Sequence, residues 1–554
     1  MSVASNGDLR WLKALSCFFL AIIYLSFFSS CSGSKTPVEI TAEELLAHIR
    51  ILSDDIYEGR GLGSRGIELA ANYQEDFFRQ FGLKPLFGHS YRQPFTVVGV
   101  EPDLKATMEI ISLKETKLVQ PIVPVILEDF VVKSEREDYP SEVEAELIYC
   151  GYLIQAPERN WDDIKGVDLR GKVLLVEINE PGNYPGGIFD GPDMTYYGRW
   201  TYKFEKATEL GAAGILIIHN DKGATYGWSV VRNSWAKESF FLPEKNRTLY
   251  FQGWITSALA ERILAASGFE RKKILEEAEL PSFAPRALGL KIRVRQKPSF
   301  REVPAENVVG WFQSTRPQAR DKYVIISAHY DHLGRDPNLQ GDQIYNGAVD
   351  NCSATACLLA LASYYSQFRG NLPVNLIFAA VTAEEQNLLR SSYLAAYLPV
   401  PNSSILANLN FEMTNVWGET EDVYAIGARY SELDEICRKA AEKLGYRYTA
   451  ERGGEYGFFF RSDQFSFARH GIPAVWLHEG LVAKGEDKEK VMRKSLEYQK
   501  YHYHQVTDEI QEDWDLGGAL QLLRWAREVI ELLGKQEKLP GFRPDSPFQR
   551  PSGE

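Results

Sequence analysis

Three apolar runs in the second half of the chain each end on residues able to hold a cation or move a proton. Residues 323–328 (YVIISA) lead to His329, Tyr330, Asp331 and His332. Residues 373–381 (PVNLIFAAV) lead to Thr382, Ala383, Glu384 and Glu385, and residues 405–411 (ILANLNF) lead to Glu412. Between the first two, a glycine-containing loop delivers Asp350 and Asn351 to the start of a helical pattern. Imidazole and carboxylate without thiolate suit zinc, with manganese or cobalt as weaker fits. A ligating histidine usually donates its second ring N–H to a carboxylate, and Asp331 is spaced to serve His329 that way. Glu384 and Glu385 are adjacent and cannot point alike, so one can ligate while the other stays free for proton transfer.

These residues need a scaffold that brings strand ends together. From residue 303 to about 532 short apolar runs alternate with segments of helical spacing, such as Ala354, Leu358, Leu361 and Tyr365. That alternation predicts an α/β domain with a mixed, mostly parallel sheet flanked by helices. In such a sheet, ligands bind beyond the carboxyl ends of the strands, where the candidate residues stand. Residues 41–82 read as two helices. Thr41 with Glu44 forms a capping box; the second helix carries Ile67, Ala70, Tyr73, Phe77 and Phe81 and closes at Gly82.

The middle third is strand-rich. Residues 172–178 (KVLLVEI) and 215–219 (ILIIH) read as strands around a helix through Phe204 and Leu210. GVDLRGKVLLV and ELGAAGILIIHN resemble the protease-associated domain, an insert common in secreted peptidases. His219 reads as a surface residue, and no catalysis is expected there. The expected organisation is a leader over 1–30, peptidase domain over 31–119 and 299–534, the β-rich insert over 120–298, and a disordered tail over 535–554.

The chain has 75 acidic and 62 basic side chains, a formal net charge of −13. This balance argues against a nucleic-acid partner, since no excess of Lys and Arg is available to release counterions. Six cysteines in 554 residues are too few for a disulfide scaffold, and no CxxC spacing suggests a thiolate zinc site. Cys150, Cys352, Cys357 and Cys437 are expected as buried, inert thiols. Arg10 and Lys13 precede an apolar run over 14–28, then Ser29, Ser30 and Cys31. This is the layout of a secretory signal, and a cysteine after small residues resembles a bacterial lipobox. The expectation is an exported protein, periplasmic or in the cell envelope, with lipidated Cys31 as a membrane attachment to the outer membrane. An uncleaved signal anchor is the alternative.

HYDHLG, NGAVDNCSA, TAEEQNLLRSSYL, LNFEMTN, RSDQFSFARHGIPAVWL and YHQVTDE follow, in order, the blocks of the co-catalytic di-zinc exopeptidases. That family includes secreted zinc aminopeptidases, glutamate carboxypeptidase II, glutaminyl cyclases and the transferrin receptor. LSDDIYEGRGLGSRG resembles its N-terminal block. The resemblance implies the zinc exopeptidase fold and two zinc ions per chain: His329 and Glu412 on one, Glu385 and His504 on the other, and Asp350 bridging both. It implies Glu384 as general base and acid, Tyr503 as an oxyanion donor, a strained Asp350–Asn351 peptide and a peptide substrate. Two ions about 3.5–4 Å apart would lower the pKa of a shared water and polarise a peptide carbonyl. Two positions depart from the pattern. Glu412 stands where many aminopeptidases have Asp, and Gln464 replaces the usual His after Ser-Asp.

Each residue also has a plainer reading. His329 alone is more often a core histidine, Asp350 a helix N-cap, and Glu384-Glu385 a solvated helix start. His502 competes with His504, which the YHQVTDE spacing favours. His332, His470 and His478 read as structural or supporting, and Tyr498 and Tyr501 as packing. The leading function is an exported zinc aminopeptidase. The alternatives are a glutamate carboxypeptidase-like enzyme, which needs basic side chains to grip a substrate carboxylate, a weaker one-zinc glutaminyl cyclase, and a non-catalytic receptor-like module.

Overall fold

A computed structural model describes residues 36–113, 118–243 and 248–550. The expected leader and Cys31 lie outside the described residues. No helix among those described is long and apolar enough to cross a membrane.

Helix α1 (Ala42–Leu52) begins where the Thr41 hydroxyl accepts from the Glu44 amide at 3.2 Å, and it buries Leu45, Ile49 and Leu52. Helix α2 (Arg65–Gln80) is capped by Ser64. It ends as the sequence predicts, with Gly82 at φ +77° and the Leu83 amide returning to the Phe78 carbonyl at 3.0 Å. Both helices pack on the same hydrophobic core as α3 (Ala354–Ser366), which is buried nearly all round.

The main sheet comprises β1 (Arg92–Glu101), β2 (Ser239–Phe241), β3 (Ser299–Phe312), β4 (Tyr323–His329), β5 (Asn375–Val381), β6 (Ile405–Asn410), β7 (Asp422–Ile426), β8 (Arg447–Tyr448) and β9 (Ala474–Glu479). A short segment, Lys84–Pro85, pairs with β3 off this path. The order is β2-β1-β3-β5-β4-β6-β9-β7-β8. The central four, β5-β4-β6-β9, run parallel. Helices cover both faces, so β4, β5 and β6 carry apolar residues in near-continuous runs. This is the mixed α/β architecture expected, but parallel pairing is concentrated in the centre. The pairings along β2-β1-β3-β5 and between β9 and β7 are antiparallel, so the sheet is mixed rather than mostly parallel.

A second, seven-stranded sheet is inserted into the first. Its order is Thr107–Ser112, Arg286–Arg295, Glu142–Tyr149, Val173–Glu177, Gly214–His219, Phe251–Thr256 and Phe130–Lys133. The insert therefore begins earlier than 120, because the strand Thr107–Ser112 pairs with Arg286–Arg295 rather than with the main sheet. Within the insert the chain also returns once to the main sheet, where β2 pairs with β1. Composition does not mark either crossing, since both kinds of strand alternate in the same way. His219 is buried, its Nε2 3.0 Å from the Tyr226 carbonyl, and not the surface residue expected.

Past the C-terminal helix α4 (Gly517–Gly534), residues 540–550 depart from the expected disordered tail. The Arg543 amide donates to the Tyr430 carbonyl, Phe548 packs against Tyr430 and Phe465, and Arg550 donates to the Ile405 carbonyl. Two aromatic anchors and an arginine fix a segment that has no periodicity.

Candidate metal centre and peptidase site

The parallel register of β5, β4 and β6 puts their carboxyl ends side by side. His329 closes β4, Glu384 and Glu385 follow β5 and Glu412 follows β6. Asp350 sits in an irregular turn, Ala348–Ser353, ahead of α3, with φ −102° and ψ 95°, outside helical values. The Asp350–Asn351 peptide is cis.

Asp350 divides the cluster into two halves. In one, His329 Nε2 lies 3.0 Å from Glu412 Oε1 and 3.4 Å from Asp350 Oδ1. In the other, His504 Nε2 lies 3.2 Å from Asp350 Oδ2 and 3.3 Å from Glu385 Oε2. His332 joins that half, with Nδ1 2.8 Å from Glu385 Oε1 and 4.0 Å from Asp350 Oδ2. Ligand atoms of His329, Asp350 and Glu412 all lie within 4.8 Å of one another, as do those of His332, Asp350 and Glu385. Among the described residues no lysine or arginine ion-pairs with these carboxylates. Oxygen and imidazole donors converging without a side-chain cation fit two divalent ions that share Asp350.

The charges respond to this crowding. Burial would raise the Asp350 pKa, but hydrogen bonds to His329 and His504 hold it well below the ordinary carboxylate value. Burial would lower the His504 pKa, yet Glu385 and Asp350 raise it to about 9. Glu384 is raised well above its ordinary value by burial, with Glu412 and Glu385 adding to the effect.

Residues 307–526 match the sequence profile of peptidase family M28. The chain carries an M28 peptidase domain. That domain makes it a hydrolase, a metallo-exopeptidase. Solved structures with a similar fold include an aminopeptidase from Aneurinibacillus sp. strain AM-1, at 18% identity, covering 93% of this chain and 98% of that one with a TM-score of 0.48. Another is BSAP, a zinc aminopeptidase from Bacillus subtilis, at 17% identity, 90% and 95% coverage and a TM-score of 0.41. A third is a Peptidase M28 precursor from Shewanella amazonensis SB2B, at 16% identity, 91% and 98% coverage and a TM-score of 0.40.

All seven residues singled out from the sequence lie in the M28 domain. The structure gathers His329, Asp350, Glu385, Glu412 and His504 around one point, and places Glu384 and Tyr503 on the cavity beside it. His502 instead points to Thr507 and is half-buried. The Tyr503 ring stacks on His504 with centroids 3.9 Å apart. Although Tyr503 is 39% exposed, its confinement against the cluster, then the charges of Asp350, Glu385 and Glu384, raise its pKa well above the ordinary tyrosine value. Gln464 is buried as a spacer: its Oε1 accepts from Asn410 and its Nε2 donates to the Phe459 carbonyl.

Further residues position the clustered side chains, some expected from the sequence and some, Ser462, Asp508 and Arg60, not singled out there. His332, expected as structural or supporting, borders the cluster and contacts Glu385 at 2.8 Å. The Asp331 backbone carbonyl lies 3.2 Å from His329 Nδ1, closer than its carboxylate at 3.7 Å, while that carboxylate accepts from the Glu384 amide. Ser462 donates to Glu412 Oε2 at 2.6 Å. Asp508, four residues after His504, accepts from the Val349 and Asp350 amides at 2.9 and 3.1 Å and from the Tyr498 hydroxyl at 2.9 Å. It thereby ties the two loops that carry the second half of the cluster. Arg60, from the N-terminal block, is fully buried and donates to the carbonyls of Leu52, Tyr330, Asn346 and Gly347. The LSDDIYEGRG block thus fastens the loops around His329 and Asp350; the available signal was an arginine amid glycines, without periodicity.

Proposed function

We propose that the chain is an exported zinc aminopeptidase. The observation that carries this reading is the division of Asp350: its two oxygens face separate donor groups, and Glu384, beside both, is ion-paired with no basic side chain among the described residues. When bound, two zinc ions held by His329, Glu412, Asp350, Glu385 and His504 would supply Lewis-acid chemistry to a peptide carbonyl. His332 is placed to orient Glu385 through its 2.8 Å contact.

The chain's own groups handle the proton. A Glu384 carboxylate oxygen takes it from the attacking water and returns it to the leaving amine. The Tyr503 hydroxyl, kept protonated by its acidic surroundings, donates a hydrogen bond to the developing oxyanion. The same negative surroundings favour the cationic amino group of a free N-terminus. Export rests on the leader, and the protease-associated identity of the insert on its two sequence blocks.

A carboxypeptidase reading draws on a different observation, the arginines that line the same cavity. Amino-acyl reporter amides compared with N-blocked and C-terminal reporters separate the two. Hydrolysis only of reporters with a free amino group is expected; cleavage of N-blocked peptides at the carboxyl end would reverse the assignment.

A further inference from the structure

The cavity beside Glu384 has a volume of about 330 Å³, and the insert supplies part of its wall. From that side comes Arg199, the residue that opens the helix Trp200–Glu209. Opposite stands Arg461, at the end of the short helical turn Phe458–Arg461 and next to Ser462, which holds Glu412. Three contacts fix the insert here: the Met194 amide to the Gly454 carbonyl at 2.9 Å, Arg469 to Glu205 at 2.7 Å, and Arg461 Nη2 to Thr225 Oγ1 at 3.0 Å.

The two guanidinium groups lack what buried arginines ordinarily have. Arg199 is 8% exposed, and its Nε is sealed from solvent with no hydrogen-bond partner. The Arg461 Nε is likewise unpartnered. No carboxylate among the described residues ion-pairs with either one, whereas the neighbouring Arg469 has Glu205. Burial, then the like charge of Arg461, lowers the Arg199 pKa to about 9. Two cations facing one cavity without a counter-ion are costly unless an anion joins them. A carboxylate matches the fork of donors that a guanidinium presents.

We propose that Arg199 and Arg461 form a carboxylate-binding subsite that selects peptides carrying a negative charge next to the scissile bond. The proposal rests on the reading of this cavity as the substrate site. The charge would be either the terminal carboxylate of a dipeptide or the acidic side chain of its second residue. Because Arg199 belongs to the insert, the insert becomes part of substrate recognition and not only a cover.

Calorimetric titration of the metal-loaded full chain with glutarate, and with uncharged glutaramide, tests binding apart from turnover. Glutarate should bind and glutaramide should not, and Arg199→Gln and Arg461→Gln should each weaken glutarate about 10- to 100-fold with metal content retained. If Arg199→Gln does not fold, Arg461→Gln carries the comparison alone. Equal binding of both compounds, no glutarate binding, or wild-type affinity in the variants would overturn the subsite. Hydrolysis of Ala-Ala, Ala-Ala amide and Ala-Glu amide identifies the source of the charge. Preference for the free acid points to the terminal carboxylate, and preference for Ala-Glu amide to the side chain; equal kcat/KM on all three would overturn the selection. Glutarate held through both arginines in a protein that hydrolyses none of the three would support the subsite and overturn the aminopeptidase reading.

Discussion

The inserted sheet and the peptidase sheet share a construction, with parallel central strands and charged residues at their carboxyl ends. They differ in what those charges meet. In the insert, Glu177 ends its strand buried, but Arg271 lies 2.7 Å away and the Tyr149 hydroxyl 2.8 Å away. His219 ends the next strand against the Tyr226 carbonyl. At the peptidase sheet, Asp350, Glu385 and Glu412 meet imidazoles and, at Glu412, the Ser462 hydroxyl, with no lysine or arginine paired to them among the described residues, and they converge on one another. An ionisable residue at a strand end is therefore weak evidence of chemistry. Convergence of several, without an arginine or lysine to balance them, marks the site.

The sharpest way to separate the two regions is to neutralise one carboxylate in each. Glu384→Gln should lower kcat about 10²- to 10⁴-fold while metal content, read by elemental analysis, stays at the wild-type value. Unchanged turnover would remove Glu384 from its assigned role. In the insert, Arg271→Met leaves Glu177 buried without its cation. The variant should lose about 2–3 kcal/mol in denaturant unfolding, with metal content retained. A loss below 0.5 kcal/mol would show that the pair does not balance the insert as described.

A third position refines the contrast. Glu479 ends β9 in the peptidase sheet, away from the cluster, and accepts from the Asn415 amide without a cation. Burial raises its pKa to about 8. Its folded-state pKa lies above the unfolded value, so stability is full below about pH 4.5 and falls as pH rises towards 8. Glu479→Gln should flatten this decline, by about 1 kcal/mol per pH unit across that window. Parallel pH–stability curves for the two proteins would rule the effect out.

Legibility in the sequence followed the same division. His329, Glu385 and Glu412 were readable because each closes an uninterrupted apolar strand or follows one within a few residues. His332 was read only as structural or supporting, since three residues past a strand end the backbone has turned and spacing no longer fixes which group a ring meets. Arg60 escaped notice because Glu58, Gly59 and Arg60 all have positive φ, so its burial follows no helical or strand period. Arg199 and Arg461 are far apart in sequence, and only the insertion of one sheet into the other brings them to one cavity. The boundary of the insert and the packed segment 540–550 were missed for a related reason: both depend on pairing with distant partners, Arg286–Arg295 in one case and Tyr430 with Phe465 in the other.

The claim on which the account turns is that Asp350 serves two cations at once. Elemental analysis of the purified full chain measures this directly, with Asp350→Ala alongside. The account predicts close to two zinc ions per wild-type chain and less than one in the variant. One ion or none in the wild type, or two retained without Asp350, would contradict it.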